Sequence, residues 1–250
     1  MINFFRKIRK QLADQNKPLK YFRYAVGEIV LVMIGILLAL QVNNWNEERK
    51  DQNELRNIVQ SIVADMKEDV DLMKWANEEL KKDNEKIKSF LNLHDYSGFT
   101  RDSLEQSLGT FIVPMLYRMN SFYGLRDSGI TEYGKYSEAI TGIKYYYDLL
   151  IPYINGWEED VMKYVQKSGE FWSFEQNAFE FNDEKELRSE QSDEAAVSAL
   201  NGLLKSPTTR NILKKTYKYN KSLISQYEVV LEVMDETVKE IEDTLSEGDS

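Results

Sequence analysis

Apolar residues dominate one stretch of the chain, residues 25–42 (AVGEIVLVMIGILLALQV), and recur at alternating four- and three-residue steps in three later stretches. The unbroken run predicts a membrane-spanning helix, and the alternating steps predict long helices that each bury one stripe. In the first stripe Leu55, Val59, Ile62, Met66, Asp69, Met73, Ala76, Leu80, Asp83, Ile87 and Phe90 share a face, as in a coiled-coil or bundle seam. No Pro or Gly separates this seam from the apolar run. The span is therefore expected to continue into a stalk helix, with Asn43-Asn44 as its weak point and its end within residues 94–98.

A second region is less regular. Asp102 and Glu105 have capping-box spacing, Pro114 interrupts, and Asp127-Ser128-Gly129 reads as a helix stop with Gly129 able to take a left-handed conformation. Ile143, Tyr147, Leu150, Ile154, Trp157, Val161 and Tyr164 then keep the 4-3 step, and Pro152 should kink that helix against the carbonyl of Asp148. The third region opens at Ser206-Pro207, an N-cap with Pro at the first helical position. Its seam is Leu213, Tyr217, Asn220, Ile224, Tyr227, Leu231, Met234, Val238, Ile241 and Leu245, where Asn220 alone is polar and suits register selection. Residues 180–194 (EFNDEKELRSEQSDE) read as an exposed acidic connector, and 195–205 as a short helix. No strand pattern or internal repeat stands out. The expected fold is all-α: a transmembrane helix running into a stalk, with an antiparallel helical bundle outside the cytoplasm.

The apolar core at 29–40 is short for a span, and its flanks lengthen it. Tyr21 and Tyr24 before the run and Trp45 after it are expected as interfacial anchors. Tyr24 and Trp45 lie about 31 Å apart at 1.5 Å per residue, against a hydrocarbon core of ~30 Å. A cleaved signal peptide would need small residues at −3 and −1; the best candidate, Ala39, has Leu37 in the other position, so an uncleaved anchor is preferred.

Charge sets the orientation. Residues 1–24 carry seven basic side chains against Asp14, net +6, whereas residues 43–250 carry 25 basic against 40 acidic, net −15. Lys and Arg beside a span hold their side in the cytoplasm. The expected layout is a basic cytoplasmic head at 1–20, a span at 21–45 and an extracytoplasmic body at 46–250. The head is either a short interfacial helix with Ile2, Phe5, Ile8 and Leu12 on its apolar side, or an unstructured basic segment.

Within the span, Gly27, Gly35 and Ala39 recur at four-residue multiples beside Glu28, an arrangement expected to serve helix association. The partners expected are therefore the lipid bilayer and another protein, or a second copy, through helices. The acidic balance argues against nucleic acid.

Chemistry is sparse. The chain has no cysteine, which removes disulfides, thiolate metal sites and Cys nucleophiles. His94 is the single histidine, too few for a typical zinc site or a Ser-His-Asp arrangement. Gly124-Leu125-Arg126-Asp127-Ser128-Gly129 lacks the Lys-Ser/Thr ending of a phosphate loop. No catalytic, cofactor-binding or metal-ligating residues are expected, and the chain is not expected to be an enzyme. The dense aromatics over 145–181 either pack the core or line a ligand pocket, so a ligand-sensing module is the alternative function.

The N-terminal part resembles a family of uncharacterised bacterial single-pass membrane proteins. The resemblance rests on Phe4-Phe5-Arg6-Lys7-Ile8-Arg9, Asn16-Lys17, Tyr24-Ala25-Val26-Gly27-Glu28-Ile29, Gly35-Ile36-Leu37 and the run Ala39-Leu40-Gln41-Val42-Asn43-Asn44-Trp45-Asn46-Glu47. Further on it extends only to a helical body with Phe122-Tyr123-Gly124-Leu125 and Ser128-Gly129. It implies an uncleaved span and an extracytoplasmic domain of unknown function, and it brings no catalytic residues.

Overall fold

The computed structural model describes residues 18–109, 114–180 and 187–247. The expected amphipathic head lies outside the described residues, as do the side chains of Tyr21 and Tyr24. The described residues are all-α, with no strand among them. The chain divides into two units, Met1–Leu55 and Arg56–Ser250.

Helix α1 is Pro18–Asn92, unbroken through Asn43-Asn44. There Asn43 Nδ2 donates to Glu47 Oε1 at 3.0 Å, and the Arg49 guanidinium lies 5.8 Å from the Trp45 ring centre. Side-chain contacts one turn apart offset the low helix propensity of the asparagines. The first unit contains an 18-residue window of mean hydropathy 2.4, none of it buried, long and apolar enough to cross a membrane.

In the second unit α1 ends at Asn92, two residues before the expected range. Its last carbonyls are taken there: Leu93 N–H and the Tyr96 hydroxyl donate to Phe90 O at 3.1 and 2.9 Å, and Arg210 Nη2 donates to Leu91 O at 2.8 Å. Helix α2, Arg101–Leu108, starts from Thr100, whose Oγ1 accepts from Ser103 N–H at 3.3 Å. The expected Asp102/Glu105 capping box is therefore not the cap; Glu105 instead pairs with Arg101 at 2.8 Å, both buried. Helix α3 is Asn120–Asp127, and Gly129 after it has φ +73°, the left-handed position its sequence suggested.

Helix α4, Ser137–Tyr145, passes through a π turn, Tyr146–Leu150, into α5, Ile151–Glu170. The interruption expected at Pro152 takes this form. Ile151 N–H reaches back five residues to Tyr146 O, which widens the turn where Pro152 brings no N–H and its ring needs room. A second π turn, Phe171–Glu175, ends the helix. Helix α6 is Asp193–Lys205, capped by Ser192, and α7 is Pro207–Glu247. Ser206 Oγ accepts from Thr209 N–H at 3.3 Å, as the Ser-Pro start predicts.

Helices α1 and α7 run antiparallel. Lys67 pairs with Glu242, Lys74 with Asp235 at 3.0 Å and Lys81 with Glu228 at 3.0 Å, so one index rises as the other falls. These exposed pairs contribute little energy each; the buried stripes between them carry the packing. The stripe on α1 follows the expected 4-3 step from Leu55 to Met73 and keeps Leu80 and Ile87, with Asn77 and Asn84 buried in place of Ala76 and Asp83. Ala76 and Asp83, expected inside, are only half-buried. On α5 Glu158 replaces Trp157 in the buried line, and on α7 Thr216 replaces Tyr217. An α-helix turns every 3.6 residues, so a 3.5-residue stripe drifts until two consecutive steps of four restore it.

One end of the second unit holds a separate apolar cluster: Ile87, Tyr96, Leu104, Leu108, Trp172, Phe179, Leu200, Leu204 and Leu213. The Gln176 side chain organises the turn beneath it, donating to Trp172 O and Phe179 O and accepting from Ala178 and Phe179 N–H.

Ile62→Asp or Leu231→Asp should lower the unfolding free energy by about 3 kcal/mol or more in denaturant titration, because each buries an unpaired charge. Gln60→Asp, on the exposed side of α1, should change it by less than about 0.5 kcal/mol.

Candidate functional site

Two carboxylates lie inside the helical body, and a non-helical segment runs between them. Asp69, on the inward stripe of α1, is 0 % exposed. Each of its oxygens accepts from Arg118 N–H at 3.2 Å, Oδ1 also accepts from Arg118 Nη1 at 3.2 Å, and Oδ2 accepts from the Tyr146 hydroxyl at 3.3 Å. The same guanidinium reaches Glu68 at 2.6 Å on its outer side. Glu158, on α5, is 4 % exposed. Its Oε1 accepts from the Tyr227 hydroxyl at 2.7 Å and from the Tyr117 hydroxyl at 3.4 Å; its Oε2 accepts from Met115 N–H at 3.4 Å.

Met115, Tyr117 and Arg118 all belong to the non-helical segment 114–119. Irregular backbone entering a core has no ladder for its N–H groups, and an orphaned buried donor costs about 1–3 kcal/mol. Glu158 and Asp69 supply acceptors to Met115 and Arg118. Carboxylates from two helices thus hold this segment at Met115 and Arg118, where Met115 is buried, while Pro114 and Leu116 face solvent; Tyr146 bonds Asp69, and Tyr117 and Tyr227 bond Glu158. Tyr147, next to this site, stacks on Phe122 with ring centres 4.6 Å apart and meets Tyr146 edge-on at 4.7 Å.

Burial pushes both carboxyls above their ordinary values of 3.8 and 4.5, and outweighs the hydrogen bonds that favour the ionised forms. Those opposing bonds come from Arg118 and Tyr146 at Asp69, and from Tyr227, Met115 and Tyr117 at Glu158. The tyrosines are raised too: burial is the main cause for Tyr117, Tyr146, Tyr147 and Tyr227, and the neighbouring carboxylates add to it. The two carboxyls are closed to solvent, although Arg118 beside Asp69 reaches the surface, and they can accept hydrogen bonds and hold protons. Among the described residues no three His, Cys, Asp or Glu side chains converge to hold a metal ion, and His94 is exposed.

Arg101, buried against Glu105, organises the acidic connector. Arg101 Nη1 donates to Ser189 Oγ and Gln191 O at 3.3 Å, and Nη2 donates to Glu180 O. Glu180 in turn accepts from Ser189 Oγ and Glu190 N–H at 2.8 Å. Both ends of the connector, expected to be merely exposed, are tied to α2.

The aromatic-rich region divides. Tyr146, Tyr147, Trp172 and Phe179 are core; Tyr145, Tyr153 and Phe174 are exposed. In the apolar stretch of α1, Gly27 and Gly35 have open space where a Cβ would stand, and Ala39 is exposed beside them. Glu28 is half-exposed, and Trp45 stands outward. The span residues Gly27, Glu28, Gly35 and Ala39 lie in the first unit, and the buried carboxylates lie in the second.

A carboxyl with a raised folded-state value holds its proton more tightly in the folded body than in the unfolded chain. The stability that Asp69 and Glu158 add is full below their ordinary values and is lost as pH rises through the raised ones. Denaturant titrations from about pH 4.5 to about pH 7.5 should show this decline in the wild type, and a shallower one in Asp69→Ala and in Glu158→Ala. Each variant should also lose about 2–4 kcal/mol at all pH values, because its donors are left without an acceptor.

The sequence profile of a family of unknown function (DUF6090) matches residues 28–111, which include the apolar stretch of α1 from Glu28, all of the α1 stripe and α2. No curated protein and no solved structure matches the chain.

Proposed function

We propose that this chain is a single-pass protein of a bacterial inner membrane whose helical body, outside the cytoplasm, acts through protein contacts as a scaffold or a subunit of an envelope complex. The observation that carries the proposal is the apolar window in α1, of which nothing is buried among the described residues and which is long enough to cross a bilayer. The charge split supports the orientation: net +6 before the span and net −15 after it. The two open glycines at Gly27 and Gly35, with Ala39, support a helix–helix contact within the membrane, and Glu28 supports a polar link in that contact.

A membrane-impermeant lysine cross-linker applied to spheroplasts should link the body to a specific partner or to a second copy. Gly35→Leu should cut the yield of that adduct, because a large side chain separates the backbones; Glu28→Gln should cut it less, since the amide still hydrogen-bonds. A body that is protected from the reagent contradicts the orientation. No specific adduct, or an adduct indifferent to Gly35→Leu while Glu28→Gln abolishes function, contradicts the packing role.

A further inference from the structure

An uncharged strip runs along the outside of the second unit, on the helical segment 137–170. Tyr145, Leu149 and Tyr153 succeed one another at four-residue steps and are 44 %, 55 % and 46 % exposed. Exposed Pro152 and Gly156 continue the strip without a charge. On the adjoining α7, Gln226 Oε1 accepts from the Tyr153 hydroxyl, and Val229, one turn on, is 55 % exposed. In a chain with 30 % charged residues this is an unusual face, since isolated apolar residues are common on surfaces and a contiguous strip is not.

The strip leads through Tyr145 into a groove of about 820 Å³ between α4 and α7. The two helices approach closely beside it: a Cβ built on Gly142 would stand 3.2 Å from Thr237 Cγ2. Glu138, Glu240 and Asp243 line the groove, with Thr141 and Thr244 between them. None of these three carboxylates pairs with a cation among the described residues, whereas Glu228, Asp235 and Glu242 on the same helix each hold a lysine of α1. They do not converge on one metal-sized point, so they suit a row of cations spaced along a chain.

We infer that the strip and groove between α4–α5 and α7 receive an amphipathic helix of another protein, its apolar side on Tyr145, Leu149, Tyr153 and Val229 and its Lys or Arg residues on Glu138, Glu240 and Asp243. The groove between two antiparallel helices fits a helix as occupant, and residues at four-residue steps match a helical stripe. Charge selects the partner. A second copy would bring the same three carboxylates and a body of net −15, so a basic flank is the complement. The inference rests on reading the body as a protein-binding module and assigns that module a face and a partner chemistry.

The test uses the full chain in lipid nanodiscs and two labelled helical peptides with the same leucine stripe, one flanked by lysines and one by glutamates. The lysine peptide should bind, read by fluorescence anisotropy, and the glutamate peptide should not. Leu149→Asp and Glu240→Lys should each weaken binding about tenfold or more, and Phe174→Asp, exposed outside the groove, should leave it unchanged. All three positions are exposed, and unchanged circular dichroism will show that the variants fold. Equal binding of both peptides, no binding of the lysine peptide, or indifference to Leu149→Asp overturns the assignment. Self-association of the chain that Leu149→Asp abolishes also overturns it, by making a second copy the occupant. If the impermeant cross-linker still captures a partner in any of these cases, the protein-contact reading stands and only this face is wrong.

Discussion

A non-helical segment packed against a helical body must find acceptors for the backbone N–H groups it turns inward, and two buried carboxylates of the second unit meet that demand. Segment 114–119 lies against α1 and α5 with Met115 buried and Pro114 and Leu116 facing solvent, and two carboxylates, Glu158 and Asp69, accept from Met115 and Arg118. The acceptors cost desolvation, which raises both carboxyls, and the tyrosine hydroxyls of residues 117, 146 and 227 share the remaining lone pairs. The network draws on five stretches of chain: α1, segment 114–119, the π turn at Tyr146, α5 and α7. The network therefore fixes how α1, the internal segment, α5 and α7 stand relative to one another, which hydrophobic stripes alone do only loosely.

The long helices were legible because each repeats its signal many times. Leu55 to Met73 step as a seam should, and Ser206-Pro207 marks the start of α7 within its own two residues. Boundaries and caps were less legible. The cap at Thr100 differs from an Asp102 start by two residues, and the competing signal, Glu105 three residues after Asp102, belongs to an ion pair with Arg101. Seam positions failed where drift accumulates. Past Met73 the buried positions become Asn77 and Asn84, because the 3.6-residue turn of the helix outweighs the preference for an apolar residue at the 3.5-residue position.

The candidate site was mostly invisible for a physical reason: its bonds are long-range. Asp69 stood out as a polar member of an apolar stripe, yet nothing near it in sequence names Arg118, 49 residues away. Glu158 was hidden behind Trp157, whose size and hydrophobicity suit the seam better than a carboxylate does. A search for charged residues one position away from a drifting stripe would have found Glu158, though not its partners. The apolar window of α1 was legible because a helix satisfies its backbone within itself and needs no distant partner to form.

Native-state hydrogen exchange at the Met115 and Arg118 amides tests the account most directly. If the two carboxylates hold the internal segment in the core, both amides should exchange only through global unfolding, with protection close to that of the buried α7 helix. Asp69→Ala should then release the Arg118 amide more than the Met115 amide, and Glu158→Ala the reverse. Exchange of both wild-type amides at the rate of an exposed loop would show that the segment is not held, and the account of the helical body would be wrong.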